Sequence, residues 1–121
     1  MHFEFDNNIP IYIQLVEQIK IQIISGELSP GERLPSVREL ALITKVNPNT
    51  MQKALLELEE TGLIFTERTN GKFVTNDSLL INTYKNQYAN ELTRKFINNM
   101  KQLGLSPLEA TKYIKEFGGN D

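Results

Sequence analysis

Asn47-Pro48-Asn49-Thr50-Met51-Gln52-Lys53-Ala54-Leu55 reads as the opening of one helix whose start is specified twice. Asn47 is a good N-cap, because its side chain can accept from an otherwise orphaned backbone N–H. Pro48 then falls at the first helical position, where its missing N–H costs nothing and its fixed φ suits the turn. Met51, Ala54, Leu55 and Leu58 recur at helical spacing, so one face is apolar. The other face carries Asn49, Thr50, Gln52 and Lys53: amides, a hydroxyl and an ammonium within the first two turns. Such a helix suits a DNA major groove, where a good side-chain–base pairing gives about 1–3 kcal/mol of discrimination. An ordinary solvated helix face is the alternative, although Asn and Thr are mediocre helix formers and so poor filler.

Upstream, Ser36-Val37-Arg38-Glu39 is a capping box, with Ser36 at the N-cap and Glu39 three positions on. It opens a helix that ends near Thr44 and faces Val37, Leu40 and Ala41 inward. So few residues separate it from Asn47 that the two helices must cross steeply, as in a helix-turn-helix. Pro30-Gly31 marks a turn before it. Earlier still, a helix from about Pro10 to Ser25 has Pro10 at its first helical position, Gly26 past its end, and Ile13, Val16, Ile19 and Ile23 as a core stripe. Residues 1–8 read as an extended lead-in.

Downstream, the Asn47 helix ends near Thr61, with Gly62 as the residue that stops it. Leu63–Arg68 and Lys72–Thr75 are rich in strand formers, and Thr69-Asn70-Gly71 turns between them. A lone hairpin is marginal in water, so it is expected to lie against the helices before it. Three helices and a hairpin make a winged helix-turn-helix over residues 1–76. Residues 77–121 differ. One long helix runs from 78 to about 103, its apolar positions Ile81, Tyr84, Tyr88, Leu92, Phe96, Met100 and Leu103 mostly four apart. That stripe drifts around a 3.6-residue helix, so its start is expected on the winged domain and its end on something else. Gly104-Leu105 breaks the helix; Ser106-Pro107-Leu108-Glu109 restarts one with cap, proline and glutamate in place. Ala110, Tyr113, Ile114 and Phe117 form its apolar face, and Gly118-Gly119 end it. Two helices do not readily close a core alone. A symmetric homodimer is therefore expected, joined through Tyr88, Leu92, Phe96, Met100, Leu103, Tyr113, Ile114 and Phe117. The fold class is mainly α with a small β-hairpin, and a two-helix dimerisation tail.

Composition narrows the function. The 121 residues contain no cysteine, which excludes disulfides and thiolate metal sites. No apolar run reaches the length of a membrane span, and early acids Glu4 and Asp6 do not fit a signal peptide, so a cytoplasmic protein is expected. His2 is the sole histidine; no nucleophile–base pair, phosphate-cradling glycine loop or metal-spaced cluster is present. No enzyme and no cofactor are expected. Tyr84, Tyr88, Phe96 and Tyr113 could line a ligand pocket, though aromatic stripes at helical spacing are usually core; the residues name no small-molecule effector.

The chain resembles the GntR family of bacterial transcription regulators. The words that carry this are Leu28-Ser29-Pro30-Gly31-Glu32-Arg33-Leu34-Pro35-Ser36-Val37-Arg38-Glu39-Leu40-Ala41, then Leu55-Leu56-Glu57-Leu58-Glu59-Glu60-Thr61-Gly62-Leu63-Ile64, then Gly71-Lys72-Phe73-Val74. Val46-Asn47-Pro48-Asn49-Thr50 and the short tail look like the YtrA subfamily, whose tail is too small for the ligand pocket of larger relatives. The resemblance implies a repressor of a transport operon. It also places DNA contacts at Arg33, Arg38, Asn49, Thr50, Gln52, Lys53, Thr69, Asn70 and Gly71. Many relatives carry arginines where Pro48 and Gln52 stand and glycine where Thr69 stands, so weaker binding per monomer and more dependence on the dimer are expected.

Each contact has a structural alternative. Arg38 reads as a phosphate ligand or as a surface ion pair with Glu39. Arg33 either meets DNA or braces the Pro30–Pro35 loop. Asn70-Gly71 reads as a turn alone or as part of a DNA contact, and flanking Arg68 and Lys72 favour a minor-groove or backbone contact. Bulk charge opposes DNA binding: the net charge is −2, and residues 1–76 carry seven Lys/Arg against ten Asp/Glu. Yet Glu57, Glu59 and Glu60 lie at the far end of the recognition helix, a solvated end. With a Debye length of about 8 Å at physiological salt they are largely screened. Double-stranded DNA, bound by a homodimer at a pseudo-palindromic operator, is the expected partner. A winged-helix protein–protein module is the alternative.

Overall fold

The computed structural model describes residues 1–119. The chain folds as α1 (Ile11–Ile24), α2 (Val37–Thr44), α3 (Pro48–Glu60), β1 (Ile64–Glu67), β2 (Gly71–Val74), α4 (Ser78–Gln102) and α5 (Pro107–Gly118). It divides into two compact units, Met1–Tyr84 and Lys85–Asp121. The division falls later than the 76/77 boundary expected from sequence. The reason is local: Leu80, Ile81 and Tyr84 in the first turns of α4 lie against the first unit's core, and Tyr84 Oη donates to the Thr61 carbonyl at 3.3 Å.

In the first unit the caps form where the sequence places them. Ser36 Oγ accepts from Glu39 N–H and Glu39 Oε1 accepts from Ser36 N–H. Asn47 Oδ1 accepts from Asn49 N–H at 2.8 Å. Between them Lys45 adopts φ +58°, and Val46 N–H donates to Ala41 O, so α2 ends in a left-handed turn just before α3 begins. Leu40, Met51, Leu55, Leu58, Leu63, Ile64 and Val74 close the core with Leu15, Ile19 and Ile23 of α1.

The α1 stripe differs from expectation at one edge. Pro10 is the N-cap, not the first helical residue, and Ile13 is 47% exposed while Leu15 is fully buried. Residues 2–6 run along the neighbouring Gln14–Gln22 side of α1. Gln14, Gln18 and Gln22 hold this arm: Gln14 pairs with Asp6 N–H and O, Gln18 with Glu4 N–H and O, and Gln22 Nε2 donates to His2 O. Four helical residues rise about 6 Å and two extended residues about 6.6 Å, so the two spacings nearly match. Phe3 and Phe5 stack at 6.1 Å and add to the core.

The hairpin pairs Ile64 with Val74 and Glu67 with Gly71, leaving Arg68-Thr69-Asn70 as its loop. The turn thus sits one residue earlier than expected, closed by Asn70 N–H to Glu67 O and Asn70 Nδ2 to Glu67 Oε2. Gly71 opens β2 at φ +99°, a conformation glycine adopts without strain. A further edge joins it: Gly31 N–H donates to Val74 O, Val74 N–H to Glu32 O, and Leu34 N–H to Lys72 O.

In the second unit, α4 ends in Leu105 N–H to Met100 O and Gly104 N–H to Lys101 O, the hydrogen-bond pattern of a Schellman cap. Ser106 and Glu109 form the second capping box. Ala110 is buried, whereas Leu92, Leu103, Tyr113, Ile114 and Phe117 are exposed, Phe117 at 97%.

Candidate nucleic-acid interface

The start of α3 offers Asn49, Gln52 and Lys53 to solvent, with Thr50 half-buried. This orientation follows from the opposite face, where Met51, Ala54, Leu55 and Leu58 are fully buried. Lys53 also leans on α1: its Nζ lies 4.5 Å from the centre of the Tyr12 ring, a cation–π contact. The Tyr12 phenol's pKa is raised, first by its hydrogen-bonding interaction with Glu57, then by desolvation and by the Glu57 and Glu60 charges. Glu57 and Glu60 line a hollow against α1 with Tyr12, Glu17 and Lys20, so Glu57, one turn on from Lys53, shares Tyr12 with it.

Arg38 projects from the first turn of α2 and is exposed. Between the start of α2 and the hairpin lies an open cleft of about 340 Å³ whose lining includes Arg33, Ser36, Arg68, Thr69 and Lys72. Arg33 bridges to Phe73 through its backbone, and its side chain lies over the wing: a Cβ on Gly71 would sit 3.4 Å from Arg33 Nε. Arg33 therefore belongs to the wing's third edge while its guanidinium reaches the tip. Arg68, Thr69 and Asn70 are exposed there.

Lys72 and Glu59 depart from the sequence reading. Lys72 does not stand free at the wing; its side chain is 15% exposed, and its Nζ donates to Glu59 Oε1 at 2.7 Å and to Thr66 Oγ1 at 2.9 Å. Thr66 Oγ1 also donates to Glu59 Oε1. Glu59 is thus no solvated helix end but a bridge from α3 to the wing. Burial pushes its pKa up, yet the hydrogen bonds from Lys72 and Thr66 and the lysine's charge hold it below the usual value. A signal for this existed in the strand period. Lys72 shares parity with buried Val74, so its stem had to face inward.

With this geometry in place, residues 11–74 match the model of the gntR family of bacterial regulatory proteins. The chain belongs to the GntR family. Its HTH domain is thus a family member's, and its fold the winged helix of that family. It is 39% identical to the uncharacterized HTH-type transcriptional regulator YhcF of Bacillus subtilis (strain 168), over 97% of each chain. It is 36% identical to the HTH-type transcriptional repressor YtrA of the same organism, over 92% of this chain and 86% of that one. Among solved structures, a GntR family transcriptional regulator from Listeria monocytogenes superposes with TM-score 0.86 at 42% identity, covering 93% of this chain and 98% of that one. The DNA-binding domain of AraR, solved in complex with operator ORR3, matches with TM-score 0.53 at 31% identity, over 62% of this chain and 88% of that domain. The protein is a GntR-type transcriptional regulator with a DNA-binding domain. No helix among the described residues is long and apolar enough to cross a membrane.

Proposed function

We propose that this GntR regulator binds a pseudo-palindromic operator as a homodimer and represses transcription there, in the cytoplasm, with a transport operon as its target. The observation that carries the reading is the exposed start of α3, Asn49, Gln52 and Lys53, on a helix whose other face is sealed in the core, in a unit that also exposes Arg38, Arg33 and Arg68. Gln52 and Asn49 suit adenine edges, Lys53 guanine or phosphate, Arg38 a phosphate, and Arg68 with Thr69-Asn70-Gly71 the backbone or minor groove. Repression is supported by the name of the YtrA relative, and an operator by the AraR complex.

Dimerisation is supported by the second unit, where Phe96, Met100, Tyr113, Ile114 and Phe117 line an open groove of about 570 Å³ that one copy leaves uncovered. Paired copies would set two α3 helices in successive major grooves about 34–36 Å apart.

The test is selection of bound sequences from a random duplex pool, followed by binding of the recovered duplex to Arg38→Ala and Gln52→Ala. Arg38→Ala is expected to weaken all duplexes alike and to reduce the salt slope by about 1; Gln52→Ala is expected to relax specificity at one base pair. Unchanged binding by both variants would move the activity to another surface, as a protein–protein module would require.

A further inference from the structure

The cluster of Glu59, Thr66 and Lys72 ties the recognition helix to the wing by a closed set of hydrogen bonds: lysine to carboxylate, lysine to hydroxyl, hydroxyl to carboxylate. A carboxylate in the last turns of a helix faces the negative end of the backbone dipole, and here it is also mostly covered, with 24% of its side chain exposed. Neither circumstance favours a charged group unless it is held by partners. The partners come from both strands, since Thr66 and Lys72 are directly opposite in the ladder. The Gly31–Leu34 edge bonds β2 from the other side, but the side chains that join the hairpin to the end of α3 are this pair. Ile64 and Val74 anchor its base in the core, while Glu67 to Asn70 are exposed.

We infer that Glu59 is a positioning residue: by holding Thr66 and Lys72 it fixes the wing at one angle to α3, so that Arg68 and the exposed α3 side chains engage the same duplex together. The inference rests on the DNA-binding reading above. It also changes the account of Lys72, whose ammonium is spent inside the protein. The wing then presents Arg68, with Arg33 from the third edge, as its cations.

Two readings of Lys72 give opposite signs. If Lys72 were itself a phosphate ligand held back by Glu59, Glu59→Gln would free it, tighten binding and steepen the dependence of log K on log salt by about 0.9. If Glu59 positions the wing, Glu59→Gln weakens binding about tenfold, the factor for one charge-assisted hydrogen bond, with the slope unchanged. The experiment titrates full-length wild type, Glu59→Gln, and the exchanged pair Glu59→Lys with Lys72→Glu against the selected duplex at several salt concentrations. Hydrogen exchange of the hairpin amides is read on the same proteins without DNA. Expected are faster hairpin exchange and weaker, slope-neutral binding in Glu59→Gln, with both restored by the exchanged pair. Tighter and steeper binding by Glu59→Gln, or unchanged affinity with unchanged hairpin exchange, overturns the positioning role. Failure of wild type to retain any duplex overturns the DNA reading itself, and is told apart because the exchange difference is measured without DNA.

Discussion

Asn47 and Lys45 show how single residues end α2 and start α3. Asn47 satisfies the Asn49 N–H, and the preceding turn depends on Lys45 at φ +58°. Asn47→Ala is expected to cost about 1 kcal/mol, the usual loss for an N-cap. For a domain of this size that lowers the melting midpoint by roughly 4–8 °C, measurable by circular dichroism. A left-handed lysine costs roughly 1–2 kcal/mol, and glycine returns part of that as unfolded-chain entropy. Lys45→Gly should therefore be neutral to slightly stabilising in the same melt, where a clear loss would mean that the lysine side chain has a structural partner. The caps at Ser36, Asn47 and Ser106 were legible because each acts within three residues. Glu59 was not, since its partners lie 7 and 13 residues away. The Glu59 cluster also has a pH signature. A carboxylate held below its ordinary 4.5 contributes stability above that value, and the contribution disappears as pH falls through the lowered one. The melting difference between wild type and Glu59→Gln is accordingly expected at neutral pH and should shrink in acid below the carboxylate range.

At the scale of elements, what could be read depended on whether an element's neighbours were adjacent in sequence. The α3 face was fully legible, because Met51, Ala54, Leu55 and Leu58 repeat at one spacing and all four are buried. The α1 face was misjudged at Ile13 and Leu15, and the arm bonded along Gln14, Gln18 and Gln22 was hidden because it has no periodicity of its own. Its glutamines are four apart, a spacing that also suits an ordinary polar face. The wing's third edge, Gly31–Leu34, was hidden for the same reason: its backbone bonds go to β2, far along the chain. These placements predict the arm's behaviour. Gln18→Ala removes both hydrogen bonds to Glu4, and at a net worth of about 1 kcal/mol each the arm should loosen before the domain melts. Limited proteolysis is expected to cut near Phe3–Phe5 in the variant at protease levels that spare wild type. Equal cutting of the two would mean that Phe3 and Phe5 hold the arm without the ladder.

For the whole molecule, the decisive fact is that one copy leaves Ile114 and Phe117 in water. Exposed aromatic and aliphatic side chains lining one groove mark an interaction surface when they cluster, and single scattered ones do not. That the start of the α4 stripe packs on the winged unit was legible from its drift. Its turning point at Tyr84 was not, because it depends on where Leu80, Ile81 and Tyr84 meet the core. If a second copy covers the groove, Ile114→Asp buries a carboxylate against apolar side chains, a cost the interface cannot absorb. Sedimentation should then report monomers, while the melt of the winged unit stays close to wild type because Ile114 is not part of its core. Operator affinity should fall much further than affinity for a half-site, since two linked reading helices gain an effective concentration that separate ones lack. A variant that still sediments as a dimer would locate the interface elsewhere. A monomer with undiminished operator binding would show that one winged domain suffices, and the palindromic operator would have to be given up.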